Sequence, residues 1–261
     1  MTSTRTRCRE TLHYDPPVVE QLALAVAAIA LIAFLYSSVG HAGASGYIAV
    51  LTILGAAPAE VRPTALLLNI LVAVVGTIQF VRAGHFSWRL FWPFAALAVP
   101  AAFLGGSLRV PADLLRILLG VILLASAARL VIRKGAEVEN VQPPATGVAL
   151  ASGAAIGFLS GMTGTGGGIF LTPLMLFCRW AKTKSVAAVS VVFILVNSIA
   201  GIAGYVSTGQ PLPSGIGAFA IAALAGGAIG STLGAGRLPV RAIQLFLALV
   251  LVIAGSKLLF S

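Results

Sequence analysis

The segment from Gly157 to Pro173 constrains the fold of this chain more than any other. It reads Gly-Phe-Leu-Ser-Gly-Met-Thr-Gly-Thr-Gly-Gly-Gly-Ile-Phe-Leu-Thr-Pro. Apolar sequence flanks it on both sides, yet the stretch from Ser160 to Gly168 holds five glycines and three hydroxyl residues, Ser160, Thr163 and Thr165. A continuous helix is a poor host for it, because each interior glycine costs about 1 kcal/mol relative to alanine. In hydrocarbon, broken backbone is tolerated only where protein buries it or where it lines a wet cavity. The segment therefore predicts a helix interruption inside a membrane, and such an interruption marks a site.

The composition agrees with a membrane setting. Of the 261 residues 59% are hydrophobic and only 9% charged, where a soluble domain carries roughly a quarter charged. The chain is better counted in apolar spans of about 20 residues. Its net charge of +10 is scattered through short connections rather than gathered in a stripe, which fits cations that hold a topology and not a nucleic-acid partner. Cys8 and Cys178 make neither a disulfide framework nor a metal spacing. No metal is expected, and the location expected is the inner or plasma membrane, multi-pass.

In chain order, residues 1–17 form a polar tail with Arg5, Arg7, Arg9 and a Pro-Pro break. Residues 18–39 make a full span; a signal-peptide reading with cleavage near Ala42-Gly43-Ala44 competes with it, but the sequence that follows belongs to the repeat described next. A loop over 40–46 and a short segment over 47–57 precede spans near 64–81, 90–108 and 112–132. Residues 133–144, with Lys134, Glu137, Glu139 and Pro143-Pro144, read as a linker. Then come 145–159, the glycine loop, a short segment over 169–177, and spans near 185–206, 214–234 and 240–260. The fold class expected is an all-α polytopic membrane protein with eight full spans and two short segments. Its parts are the tail 1–17, a first transmembrane repeat 18–132, the linker 133–144 and a second repeat 145–261.

Each half has a long span, a glycine break, a short segment and three spans. A shift of 121 residues lays Gly40 on Gly161, Gly43 on Gly164, Gly46 on Gly167 and Ile48 on Ile169. Paired interrupted segments at corresponding places in two halves point to a transporter's binding site. With an odd number of crossings per half the repeats are inverted. Arg82, Arg89, Arg129, Arg133, Lys134, Arg179, Lys182, Lys184, Arg237 and Arg241 then share one face, against Arg62, Arg109, Arg116 and Lys257. The majority face reads as cytoplasmic, with the three tail arginines on the other side.

The candidate site follows from the breaks. Helix N-termini near the bilayer middle offer free N–H groups and positive dipole ends to an anion, and glycine lets a ligand approach the backbone. The first break supplies Ser38, Gly40, His41, Gly43, Ser45 and Gly46. The second supplies Ser160, Gly161, Thr163, Gly164, Thr165, Gly166, Gly167 and Gly168. Asn69 and Asn197 lie in the spans that follow each break, where a buried amide either bonds a neighbouring helix or lines the site. His41 reads as a hydrogen-bonded neutral side chain or as a titrating proton carrier. The bland reading of the glycines is close helix packing; it accounts for Gly226, Gly227, Gly230 and Gly234, but poorly for three consecutive glycines. Arg62, Lys182 and Lys184 flank the entries to the spans, as topological anchors or as attractors of an anion.

Two enzyme-like motifs carry less. The segment Gly164-Thr-Gly-Gly-Gly lacks the lysine and spacing of a nucleotide-binding loop. Gly43-Ala44-Ser45-Gly46 matches the G-x-S-G of rhomboid-type intramembrane serine proteases, but its available base, His85, lies in a polar connection and a serine nucleophile needs a base in reach.

The Gly157–Pro173 motif together with Ala-Ala-Val-Ser-Val-Val-Phe-Ile-Leu-Val-Asn, ending at Asn197, resembles the TauE/SafE family of sulfite and organosulfonate permeases. The resemblance covers the chain from Ala33 to Leu259, and its first half departs from the usual Gly-x-Gly-Gly-Gly by having Gly43-Ala-Ser-Gly-Tyr. It implies a non-enzymatic secondary transporter of small sulfur-containing anions, working by alternating access, without a cofactor. An anion channel is the alternative reading, and a rhomboid-like protease a remoter one. The partners expected are a small anionic substrate and the lipid bilayer, with a homodimer left open.

Overall fold

The computed structural model describes residues 16–108, 124, 127, 128 and 140–260. The tail over 1–15, almost all of the span expected over 112–132 and most of the linker expected over 133–144 lie outside the described residues, as do Arg109, Arg116, Arg129, Arg133 and Lys134. Among the described residues every regular element is helical. In order these are α1 (Pro16–Ser38), α2 (Ala44–Ile53), α3 (Pro58–Arg82), α4 (Trp88–Ser107), α5 (Thr146–Thr163), α6 (Gly168–Phe177), α7 (Thr183–Ser207), α8 (Gly217–Thr232), a π-helical turn (Leu233–Arg237) and α9 (Val240–Phe260). Among the described residues six stretches, in α1, α3, α4, α5, α7 and α8 with its π turn, are long and apolar enough to cross a membrane. The helices α2 and α6, ten residues each, rise only about 15 Å, half of a bilayer core. Large apolar side chains such as Leu24, Leu31, Ile221 and Ile229 point outward from α1 and α8, as they do in a helix that meets lipid.

Glycine decides how these helices meet. On α5, Gly153, Gly157 and Gly161 lie directly over the carbonyls of Phe94, Ala98 and Ala102 of α4, so close that a β-carbon would overlap the backbone. Gly226 and Gly230 of α8, followed by Gly234 in the π turn, lie in the same way over Ala30, Phe34 and Ser38 of α1. Both series step by four residues on both partners, so each pair of helices runs parallel along one stripe of small residues. Without a hydrophobic drive between helices in lipid, such backbone approach is what holds them. Gly226, Gly230 and Gly234 therefore pack helices as the sequence suggests, and Gly227 faces Val72 and Ser37.

The helix α4 thus lies on α5, and α8 lies on α1. Between these pairs run α3 and α7, which are antiparallel: Gly76 meets Val191, Asn69 meets Ser198 at 3.5 Å, and the Tyr205 hydroxyl donates to the carbonyl of Ala59 at 3.1 Å. The central span is α7, with about two thirds of its apolar window buried. At one end of the bundle the His85 ring sits 2.9 Å from the Ala235 carbonyl and the Lys184 ammonium donates to Gly236 at 3.3 Å. These contacts gather Arg82, Arg89, Lys182, Lys184 and Arg237 at that end, while Arg62 lies at the other.

The packing role of the α5 stripe has a direct test. In Gly157→Leu the new side chain meets the Ala98 backbone, and overpacking of this kind costs about 1–3 kcal/mol or more. Most of the monodisperse peak should be lost on size-exclusion of the solubilised protein. Gly147→Leu, on the same helix but with open space around it, should elute as wild type does. Equal profiles for the two variants would contradict the assignment.

Candidate functional site

The first break follows Ser38, where Gly40 and Gly43 take left-handed backbone and α2 begins at Ala44. Two tyrosines close it. The Tyr36 hydroxyl lies 2.8 Å from Ser45 Oγ, the Tyr47 hydroxyl donates to the Ala42 carbonyl at 2.6 Å, and the His41 ring stands edge-on to Tyr36 at 6.4 Å. Gly40 rests on the Ala187 backbone of α7, and Gly46 rests on Ile32. The short helix starts at Ala44, earlier than the apolar pattern suggests, because the small residues Ala44, Ser45 and Gly46 wind into it.

The second break follows Thr163. Gly166 and Gly167 are consecutive left-handed residues, with φ of 77° and 83°, a pairing that only glycine adopts without strain. Thr163 Oγ1 donates to the Leu159 carbonyl at 2.8 Å and lies 3.0 Å from Thr165 Oγ1. The Asn69 amide reaches across from α3, 3.4 Å from the Thr165 carbonyl and 3.5 Å from Ser198 Oγ. Protein side chains close over the triplet: Asn69 and Ile194 against Gly166, Phe193 and Ser160 against Gly167, Ile194 and His41 against Gly168.

The two breaks meet through His41. Its Nε2 lies 3.0 Å from Thr172 Oγ1 of α6, and Thr172 donates to Ser190 Oγ of α7 at 2.7 Å. The loop that leads into α2 is thus joined to the second turn of α6 and, through it, to α7. Neither start has a side-chain cap, and the first intrahelical bonds are made by the N–H groups of Gly46 and Phe170. The N–H groups of Ala44, Ser45, Gly168 and Ile169 consequently have no backbone acceptor among the described residues. Four buried polar atoms nearby also have no partner: His41 Nδ1, Asn69 Oδ1, Ser160 Oγ and Asn197 Oδ1. Each such group costs about 1–3 kcal/mol when left unsatisfied. Among the described residues no Lys, Arg, Asp or Glu is buried, so the centre is polar without being charged.

Arg62 lies beside the second break but is engaged elsewhere. Its guanidinium donates to the carbonyls of Gly106 at 2.7 Å, Gly105 at 3.2 Å and Leu108 at 3.3 Å at the end of α4, and to Gly161 at 2.5 Å near the end of α5. The Tyr205 ring centre is 5.9 Å away and Gly164 packs on its side chain. Helix C-termini carry the negative end of the dipole, so Arg62 ties two of them to the start of α3. In this conformation its two terminal nitrogens have carbonyl acceptors, while its buried Nε has none.

Not all sequence candidates come together. His41, Asn69, Ser160, Thr165 and Gly166 to Gly168 surround one centre. The Asn197 amide turns back to its own helix, donating to Phe193 at 2.8 Å. Ser38 bonds Leu35 and supports Gly234, and Gly161 makes room for Ala102; these two serve helix packing. Ser45 is held by Tyr36 and His85 by Ala235, so they do not form a nucleophile and base. Thr172, Ser190 and Ser198, all buried, belong to the centre and were not among the candidates. Their signal is positional: Ser190, Ile194, Asn197 and Ser198 share one face of α7, and Thr172 directly precedes Pro173 in the motif.

Comparison with known proteins bears on this arrangement. The model of the family described as sulfite exporter TauE/SafE matches residues 25–258. The probable membrane transporter protein y4hK of Sinorhizobium fredii is 42% identical over 245 residues, covering 92% of this chain and 99% of that protein. No solved structure is a significant match. With the family model matched over nearly the whole chain and the relative aligned over almost all of its own length, this chain belongs to the TauE/SafE sulfite exporter family and is a multi-pass membrane transporter.

Proposed function

We propose that the chain moves a small, singly charged sulfur oxyanion or organosulfonate by alternating access around the two breaks. The observation that carries this is two uncapped helix N-termini linked through His41 and Thr172 in a buried centre with hydroxyls and amides but, among the described residues, no buried Lys or Arg. Such a centre stabilises negative charge only through N–H groups, hydroxyls and dipoles. Each dipole end is worth about 0.3–2 kcal/mol, and the cost of stripping water from an ion grows with the square of its charge. A monoanion is therefore favoured over a dianion. Several oxygens on one sulfur let both helix starts donate to the same ion.

The halves are read as inverted repeats, with α3 and α7 as the antiparallel pair on the pseudo-axis and the end that holds Arg82, Arg89 and Lys184 in the cytoplasm. Motion of α1 with α8 against α4 with α5 then opens the centre to one side or the other. Arg62, tying the ends of α4 and α5 to α3, closes its own end in this conformation.

Two measurements test the reading. In competition on purified protein at fixed ionic strength, with pH varied across the bisulfite–sulfite equilibrium, bisulfite or a monovalent sulfonate should bind more tightly than sulfate. Sulfate binding more tightly than every monovalent ion tested would overturn the charge argument. Reporter fusions after Lys134 and after Arg241 should both report cytoplasm, and a fusion within 207–213 the outside; opposite sides for the first two would overturn the inversion.

A further inference from the structure

A second polar site lies away from the breaks. At the end of the bundle that gathers the cations, a cavity of about 540 Å³ opens between the start of α4, residues 141–146 and the turn that leads into α7. Arg89 and Lys182 line it with the rings of Trp92 and Trp180 and the hydroxyl residues Thr146 and Ser185. Ser185 precedes Ile194 on α7 by nine residues, about 13 Å, so this cavity and the break centre are separate places.

Its electrostatics are unbalanced. Three long helices, α4, α5 and α7, begin at the cavity wall, and none of their cap residues, Ser87, Ala145 and Lys182, makes a side-chain capping bond. Helix N-termini carry the positive end of the dipole and favour anions, yet Arg89 is the second residue of α4 and Lys182 the cap of α7. Among the described residues neither cation makes an ion pair or a side-chain hydrogen bond. Two cations set against positive helix ends repel them unless an anion lies between.

The position adds the class of ligand. Trp88, Trp92 and Trp180 are the three tryptophans of the chain, and all sit at this end, with Trp88 and Trp92 exposed. Tryptophan at a helix end marks the level of lipid headgroups, and basic pockets between transmembrane helices take anionic headgroups. We propose that this cavity binds the phosphate of an anionic lipid headgroup or a free oxyanion, held between the Arg89 guanidinium and the Lys182 ammonium against the indole faces. The anion neutralises the three helix starts and so fixes α4, α5 and α7 relative to one another at this end.

Because the three tryptophans cluster here, intrinsic fluorescence reads the cavity directly and without transport. Purified protein is titrated with phosphatidylglycerol in mixed micelles, with phosphatidylcholine as the uncharged comparison, and with inorganic phosphate at fixed ionic strength. A saturable change with phosphatidylglycerol but not phosphatidylcholine identifies the headgroup as the source. Saturation by inorganic phosphate alone identifies a soluble oxyanion. In the Arg89→Gln/Lys182→Gln variant the midpoint should shift by about tenfold or more, as expected for losing charge-assisted hydrogen bonds. If that variant does not fold, Lys182→Gln alone, on an exposed side chain, carries the same comparison. No saturable response to any anion, or an unchanged midpoint in folded variant protein, would overturn the proposal.

Discussion

A peptide N–H group in hydrocarbon has no water to turn to, and leaving it unsatisfied costs several kcal/mol. That constraint organises this molecule. Two helices begin in its interior, at Ala44 and Gly168, each after a left-handed glycine and each without a side-chain cap. The protein answers by linking the two breaks through His41 and Thr172 and by placing amides and hydroxyls from α3, α5 and α7 around them. Among the described residues no charged side chain is buried in this centre; Arg62, the cation beside the second break, donates to carbonyls near the ends of α4 and α5. What remains is a set of directed but uncharged donors, which the proposed monoanion would use.

The scaffold around the centre depends on a second consequence of the same environment. Apolar side chains gain little by meeting each other in lipid, so the helices are joined where side chains are missing. The glycine stripes of α5 on α4 and of α8 on α1 place backbone on backbone.

Much of this was legible in the sequence, because composition inside an apolar run is a strong signal. A cluster of glycines and hydroxyls cannot continue a helix, so both breaks and the short helices after them could be located. The spacing of four between Gly226, Gly230 and Gly234 marked a packing stripe. The same spacing runs through Gly153, Gly157 and Gly161, but Gly161 also lies in the break motif and so reads as a site residue. Thr172, Ser190 and Ser198 were missed because a hydroxyl in an apolar helix usually bonds its own backbone; only the fold shows that these meet His41 and Asn69. Arg62 at a span entry reads as an anchor, and its true acceptors are 43 to 99 residues away. The cavity of Arg89 and Lys182 is assembled from three helix starts distant in sequence, which no local pattern reveals.

The most direct measurement is a cryo-EM reconstruction of the protein in lipid nanodiscs with saturating bisulfite. The account predicts oxyanion density between the starts of α2 and α6, within about 3 Å of backbone nitrogens of Ala44 or Ser45 and of Gly168 or Ile169, with Ile194 or Phe193 displaced to admit it. Oxyanion density confined to the Arg89 and Lys182 cavity or to Arg62, with the two breaks closed and unchanged, would contradict the assignment of the transport site to the breaks.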